Sequence, residues 1–77
     1  MYALINTLNG HRYDDGEILG DIISRHRTPA AAAKADDRHQ RAVRRANGSS
    51  SYIPTAIIDI AWSDDGRARG QSVDVGW

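Results

Sequence analysis

The sequence predicts an α+β fold: a small antiparallel β-sheet of three or four strands with one α-helix packed on one face. The chain order is ββαββ or βαββ. Three observations lead there. A well-capped, alanine- and arginine-rich segment fills the middle of the chain. Runs of alternating apolar and polar residues lie on both sides of it. Aspartate–glycine and asparagine–glycine pairs punctuate those runs where tight turns belong.

Residues 2–8 read as a first strand, with Leu4 and Leu8 on one face and Ala3, Ile5 and Thr7 on the other. Asn9-Gly10 is a strong turn signal that would end it. Tyr13-Asp14-Asp15-Gly16 reads as a polar loop. Residues 17–27 read as a second strand, Ile18 and Ile22 facing one way and Leu19 and Ile23 the other, with Gly20 marking a bulge. The same spacing also fits a short helical turn, and for that reason βαββ stands beside ββαββ.

The helix is predicted over about residues 29–46. Thr28 supplies an N-cap oxygen, and Pro29 suits the first helical position because its missing N–H would have no partner there. Alanines and arginines propagate the helix, and Asn47-Gly48 ends it with residues that tolerate left-handed backbone. Its inward stripe is expected to be Ala32, Ala35, His39, Ala42, Val43 and Ala46. Ser49, Ser50 and Ser51 form a polar connection. Residues 57–63 form a β-rich strand with Ile58, Ile60 and Trp62 on one face. Asp64-Asp65-Gly66 turns the chain, and residues 69–77 return with Val73, Val75 and Trp77 alternating. The two strand faces together would lie under the helix.

Size and composition bound the rest. The chain has 77 residues, read here as a single domain over 1–77. A domain of this size buries only roughly 60% of its unfolded surface, so its core is thin. With 40% hydrophobic and 26% charged residues it is too apolar for disorder. Ten basic side chains balance ten acidic ones, so no whole-molecule charge draws it to nucleic acid or anionic lipid. The absence of cysteine removes thiol chemistry and cysteine-ligated zinc, and favours a reducing compartment. No apolar run approaches the roughly 20 residues of a membrane span, and the N-terminus lacks the basic leader and apolar core of a signal peptide. The expected location is the cytoplasm, with no membrane partner.

Catalytic and metal signatures are weak. His11, His26 and His39 are scattered, and the acidic pairs Asp14-Asp15 and Asp64-Asp65 each precede glycine, where a turn explains them. There is no nucleophile elbow and no phosphate-cradling glycine loop. No catalytic residue, metal ligand or cofactor is assigned, and the chain is read as a non-enzyme.

The distinctive surface feature is basic. Lys34, Arg38, Arg41 and Arg45 follow one another at steps of four, three and four, so they line one helix flank beside the alanine stripe. Arg25 and Arg27, just before the helix, would extend the patch, whereas Arg44 points away. Asp36 and Asp37 are expected to fall on the other side, leaving the flank without internal partners. Such a row suits acidic side chains on a protein partner or phosphates of a nucleic acid. The opposite sheet face, with Ile57, Asp59, Ala61, Ser72 and Asp74, is mildly acidic, and an edge strand offers a route to a homodimer.

Nine of the ten basic residues are arginine and nine of the ten acidic residues are aspartate, a bias that fits a GC-rich genome. A neutral, cysteine-free single domain of this length, with one helix on a small sheet, resembles the compact proteins of phages and mobile elements, anti-CRISPR inhibitors among them. The resemblance covers size and layout, not a motif, so it transfers no site residue. It implies an inhibitor that binds a CRISPR–Cas surveillance complex in the bacterial cytoplasm and blocks target-DNA binding. Several such inhibitors are strongly acidic DNA mimics. A neutral chain points instead to a contact through the arginine flank. The competing expectation is a small nucleic-acid-binding module that uses the same flank on phosphates.

Overall fold

A computed structural model of the chain describes residues 1–48 and 51–73. The elements are β1 (Tyr2–Arg12), β2 (Glu17–His26), α1 (Pro29–Asn47), β3 (Thr55–Ser63) and β4 (Arg67–Ser72). The ββαββ order is therefore present, residues 17–26 are a strand, and the fold is α+β with one helix packed on a four-stranded antiparallel sheet. The sheet is not open. Its order is β1-β2-β4-β3, and β3 pairs back onto β1, so the strands close into a small barrel. The strands at the two ends of the order thus pair with each other instead of leaving open edges.

Closure creates two apolar regions where one was expected. Ala3, Ile5, Ile18, Ile58 and Ala68 form the barrel interior, with Ile22, Ala56 and Ile60 packed against them. Alternation sends Leu4 to the outer face, and it is fully buried there. Its cross-strand partners Ser24 and Ile57 share that face, and α1 packs against β1, β2 and β3. The helix thus covers the outside of the barrel, while Ile58 and Ile60 face its inside.

Three irregularities shape the barrel. On β1, residues 7–10 bulge between the pairs Asn6↔Asp21 and His11↔Leu19, opposite Gly20. The Asn9-Gly10 signal therefore produces a bulge instead of a strand end, and β1 runs on to Arg12. The Asn6 carboxamide oxygen accepts from the Leu8 N–H at 2.9 Å and holds the bend, which leaves Leu8 exposed. Gly20 permits the close approach, since a Cβ there would lie 2.6 Å from the Asn6 carbonyl oxygen. On β2, Ile23 is the extra residue between Leu4↔Ser24 and Ile5↔Ile22.

The third bulge has the largest consequence. Ile60 pairs with Gly70 but Trp62 pairs with Arg69, so Ala61 is an extra residue on β3. Strict alternation would turn Trp62 inward behind Ile58 and Ile60. The inserted residue instead sets it beside Arg69 on the outer face, where it is 50% exposed. On β4 the inward positions are Ala68 and Gly70. Val73 follows the strand and donates its N–H to the Ile57 carbonyl at 2.8 Å. Val75 and Trp77, expected on the inward face, lie outside the described residues, as do Ser49, Ser50 and Asp74.

The helix begins and ends as its sequence dictates. The Thr28 hydroxyl accepts from the Ala31 N–H at 3.1 Å, Pro29 opens the first turn, and Gly48 closes the last with φ of 112°. Its buried residues are Ala32, Ala33 and Gln40, so the stripe is rotated from the expected one, and Ala42 and Ala46 are exposed. The rotation brings a polar seam inward. Gln40 donates to the Ile53 carbonyl at 2.7 Å and accepts from the Ile53 N–H at 3.2 Å. The Thr55 hydroxyl donates to Asp36 at 2.8 Å. The incoming β3 chain is clipped to the helix by hydrogen bonds instead of alanine packing.

Candidate functional site

The basic flank forms, but its members differ. Lys34, Arg38, Arg41 and Arg45 are all exposed on α1. Arg41 reaches back one turn to Asp37 at 2.8 Å, so the expectation of a flank with no internal partner is corrected at that position. Both side chains are more than half exposed, and water screens the pair to a small contribution. Lys34, Arg38 and Arg45 form no ion pair among the described residues. Arg45 lies in the last helical turn, where a cation complements the helix dipole. Lys34 and Arg38 sit nearer the N-terminus and have no such reason for their charge.

Arg25 does not extend the flank as a free cation. Its guanidinium donates to the Asp64 carbonyl in the β3–β4 turn at 2.7 Å. Arg27 is exposed in the segment between β2 and α1 and forms no ion pair among the described residues.

The flank borders a shallow groove of about 310 Å³ between α1 and β2. Ile23, Ala35 and Ala42 give it an apolar floor, and Ser24, Arg38 and His39 give it polar walls. His39, predicted to lie on the inward stripe, is half-buried at this groove. Ser24 is hydrogen-bonded to His26 at 2.7 Å. His26 therefore finds its partner on its own strand. The bulge at Ile23 places two consecutive β2 residues, Ile23 and Ser24, at the groove.

On the outer sheet face a second feature appears that the sequence reading missed. His11, Leu19, Arg69 and Trp62 form one cross-strand row over β1, β2, β4 and β3. Arg69 lies 3.6 Å above the Tyr13 ring, and His11 meets the same ring edge-on at 4.5 Å. The Arg69 Nε donates to Glu17, and a terminal nitrogen lies 3.3 Å from Asp15. The Glu17 hydrogen bond, together with the Glu17 charge, raises the Arg69 pKa above its ordinary value. Tyr13, Glu17, Leu19, Ala61, Trp62 and Arg69 line an open shelf of about 530 Å³. Alternation predicts Trp62 on the same apolar face as Ile58 and Ile60. The signal that contradicts this lies on the opposite strand, in Gly70, where a Cβ would fall 1.8 Å from the Asp59 carbonyl oxygen. Only glycine lets the bulged β3 backbone settle there.

Among the described residues no three histidine, aspartate or glutamate side chains come together as metal ligands, and no helix is long and apolar enough to cross a membrane. The acidic turns are used locally: the Asp64 carboxylate accepts from the Gly66 and Arg67 N–H groups at 2.9 and 2.6 Å. Asp15 likewise accepts from the Glu17 N–H at 2.9 Å. No family model, no curated protein and no solved structure matches the chain.

Proposed function

We propose that this chain is a non-enzymatic binding protein that acts on another protein through the α1 flank, with Lys34, Arg38 and Arg45 as donors to acidic side chains. The observation that carries the reading is that cations forming no ion pair among the described residues adjoin an apolar-floored groove, joined at Arg38. A cation row alone serves phosphates as readily as carboxylates. A groove floored by Ile23, Ala35 and Ala42 adds a place for an apolar side chain, which a phosphodiester backbone does not supply. Arg41, shared with Asp37, and Arg27 act at the rim, where charge steers association more than it holds the complex. In its more specific form the partner is a CRISPR–Cas effector complex in a bacterial cytoplasm. That form rests on the resemblance in size and layout to phage inhibitors.

The test is capture of partners by tagged protein from its source cells, with and without nuclease, alongside a Lys34→Ala/Arg38→Ala/Arg45→Ala variant. A stoichiometric protein complex that survives nuclease and is lost in the triple variant is the expected result. A Cas complex in that fraction supports the specific form. If everything bound disappears with nuclease, and affinity falls steeply and linearly on a log–log plot against salt, the flank binds phosphates and the proposal fails.

A further inference from the structure

We infer that the groove between α1 and β2 seats an acidic, amphipathic α-helix of the partner, laid alongside α1 with an apolar edge on the groove floor and a row of carboxylates against the cation flank. The inference rests on the protein-binding reading of that flank and names the shape of what binds there. The flank sets the first half of the match. Lys34, Arg38, Arg41 and Arg45 are all exposed. Their steps of four, three and four spread them over about 16 Å of helix axis, with rises of about 6, 4.5 and 6 Å. Carboxylates at the same steps on a second helix meet the row one for one. On an extended segment the residues of one face recur about every 6.8 Å, which is about 3 Å out of step by the third cation.

The groove sets the second half. Ala35 and Ala42 stand two turns apart on the helix side of the floor, Ile23 lies on the strand side, and Arg38 joins the floor to the flank. Small side chains on α1 let a second helix come close. The groove's hydroxyl, Ser24, is engaged with His26 at 2.7 Å. An extended segment on this floor would press backbone N–H and C=O groups against apolar side chains. Such groups cost free energy when they lose water and gain no partner. A helix carries its own backbone hydrogen bonds and presents side chains alone. The fitting segment therefore bears apolar residues seven apart, facing Ala35 and Ala42, with acids along the neighbouring edge. This is the groove-bound amphipathic helix, with charge complementarity fixing its register.

The probe is an alanine-based peptide of about 20 residues, long enough to be helical in water. It carries glutamates at steps of four, three and four, and two leucines seven residues apart on the adjoining edge. The control peptide has the same glutamates and leucines but two central prolines, which bar the helix. A short DNA duplex is the phosphate control. Affinity is read by fluorescence anisotropy and peptide helicity by circular dichroism. The natural sequence is compared with Ala42→Glu, Arg38→Ala and Arg44→Ala, all at exposed positions, each first checked for an unchanged spectrum and cooperative melting. The expected result is saturable binding of the helical peptide, at least about tenfold tighter than the proline control, with a gain in peptide helicity. Ala42→Glu, which sets bulk and like charge in the groove, is expected to weaken it about tenfold, and Arg38→Ala several-fold. Arg44→Ala, outside the flank, leaves it unchanged. Equal or tighter binding of the proline control overturns the inference and leaves the protein-binding reading standing. Binding of the duplex but of neither peptide overturns both. Absence of saturable binding at millimolar helical peptide, or an unchanged affinity in Ala42→Glu, overturns the inference alone.

Discussion

The arginines of the sheet and those of the helix are the same residue put to opposite uses. On the sheet, Arg67 faces Asp21, Arg69 is held by Glu17, Asp15 and the Tyr13 ring, and Arg25 caps the Asp64 carbonyl. On the helix, Arg41 is the one flank arginine with a carboxylate among the described residues, and that pair is exposed. Cross-strand neighbours are fixed by the ladder, so a sheet arginine opposite or diagonal to an acid finds it without losing much freedom. A helix arginine has only its own i±3 and i±4 positions. Arg25, Arg67 and Arg69 therefore tie neighbouring segments of the sheet together, whereas exposed Arg12 at the end of β1, like Arg38 and Arg45 on the helix, forms no ion pair among the described residues.

The most disruptive change for this contrast is Gly70→Ala. The new Cβ would collide with the Asp59 carbonyl at 1.8 Å, and the obstacle is backbone. The expected loss is about 3 kcal/mol or more in urea unfolding, with the outer face disordered along with the bulge. Next comes Gln40→Ala, which strips both hydrogen bonds from Ile53. Leaving a half-buried N–H and C=O without partners costs about 2 kcal/mol by the same measurement, although no charge is altered. The direct comparison is Arg69→Ala against Arg38→Ala. Thermal melting should fall by a few degrees for Arg69→Ala, which loses a ring contact and two carboxylates, and stay essentially unchanged for Arg38→Ala. Equal effects would erase the distinction between sheet and helix arginines.

The smallest effect is a pH dependence. The Gly66 and Arg67 N–H groups hold the Asp64 carboxyl below its ordinary 3.8. A carboxyl with a depressed folded-state pKa stabilises the fold fully above its unfolded value. That stabilisation is lost as pH falls through the lower, folded-state value. Stability of the natural chain should therefore decline more below about pH 4 than that of Asp64→Asn, which keeps a turn acceptor but does not titrate in this range. Parallel acid curves would remove Asp64 from the account.

How much of this was legible follows from where each signal is written. Thr28, Pro29, Asn47 and Gly48 carry their helix boundaries within a few residues, so α1 could be read directly. Asp64-Asp65-Gly66 is equally local. The orientation of Trp62 is not local: it depends on Gly70 across the ladder, and strand alternation alone points the wrong way. Gln40 reads as a surface residue until Ile53 and Thr55 are placed against it. The Arg41–Asp37 pair runs against the expectation of an unpartnered flank: their spacing of four lets the long arginine reach an acid placed on the neighbouring side of the helix. The shelf was not legible, because Tyr13, Leu19, Trp62 and Arg69 come from four separate stretches of chain.

Barrel closure also bears on how the chain acquires its structure during synthesis. The β1–β2 hairpin leaves the ribosome first, yet the side chains that complete its interior, Ile58 and Ala68, belong to the last two strands. Until they emerge, Ile5, Ile18 and Leu4 have no full cover. The pairings β1 with β3 and β2 with β4 both span the helix, and such distant contacts form slowly. The nascent chain therefore passes through an interval with an uncovered apolar hairpin, during which a chaperone or a neighbouring copy competes with its own C-terminal half.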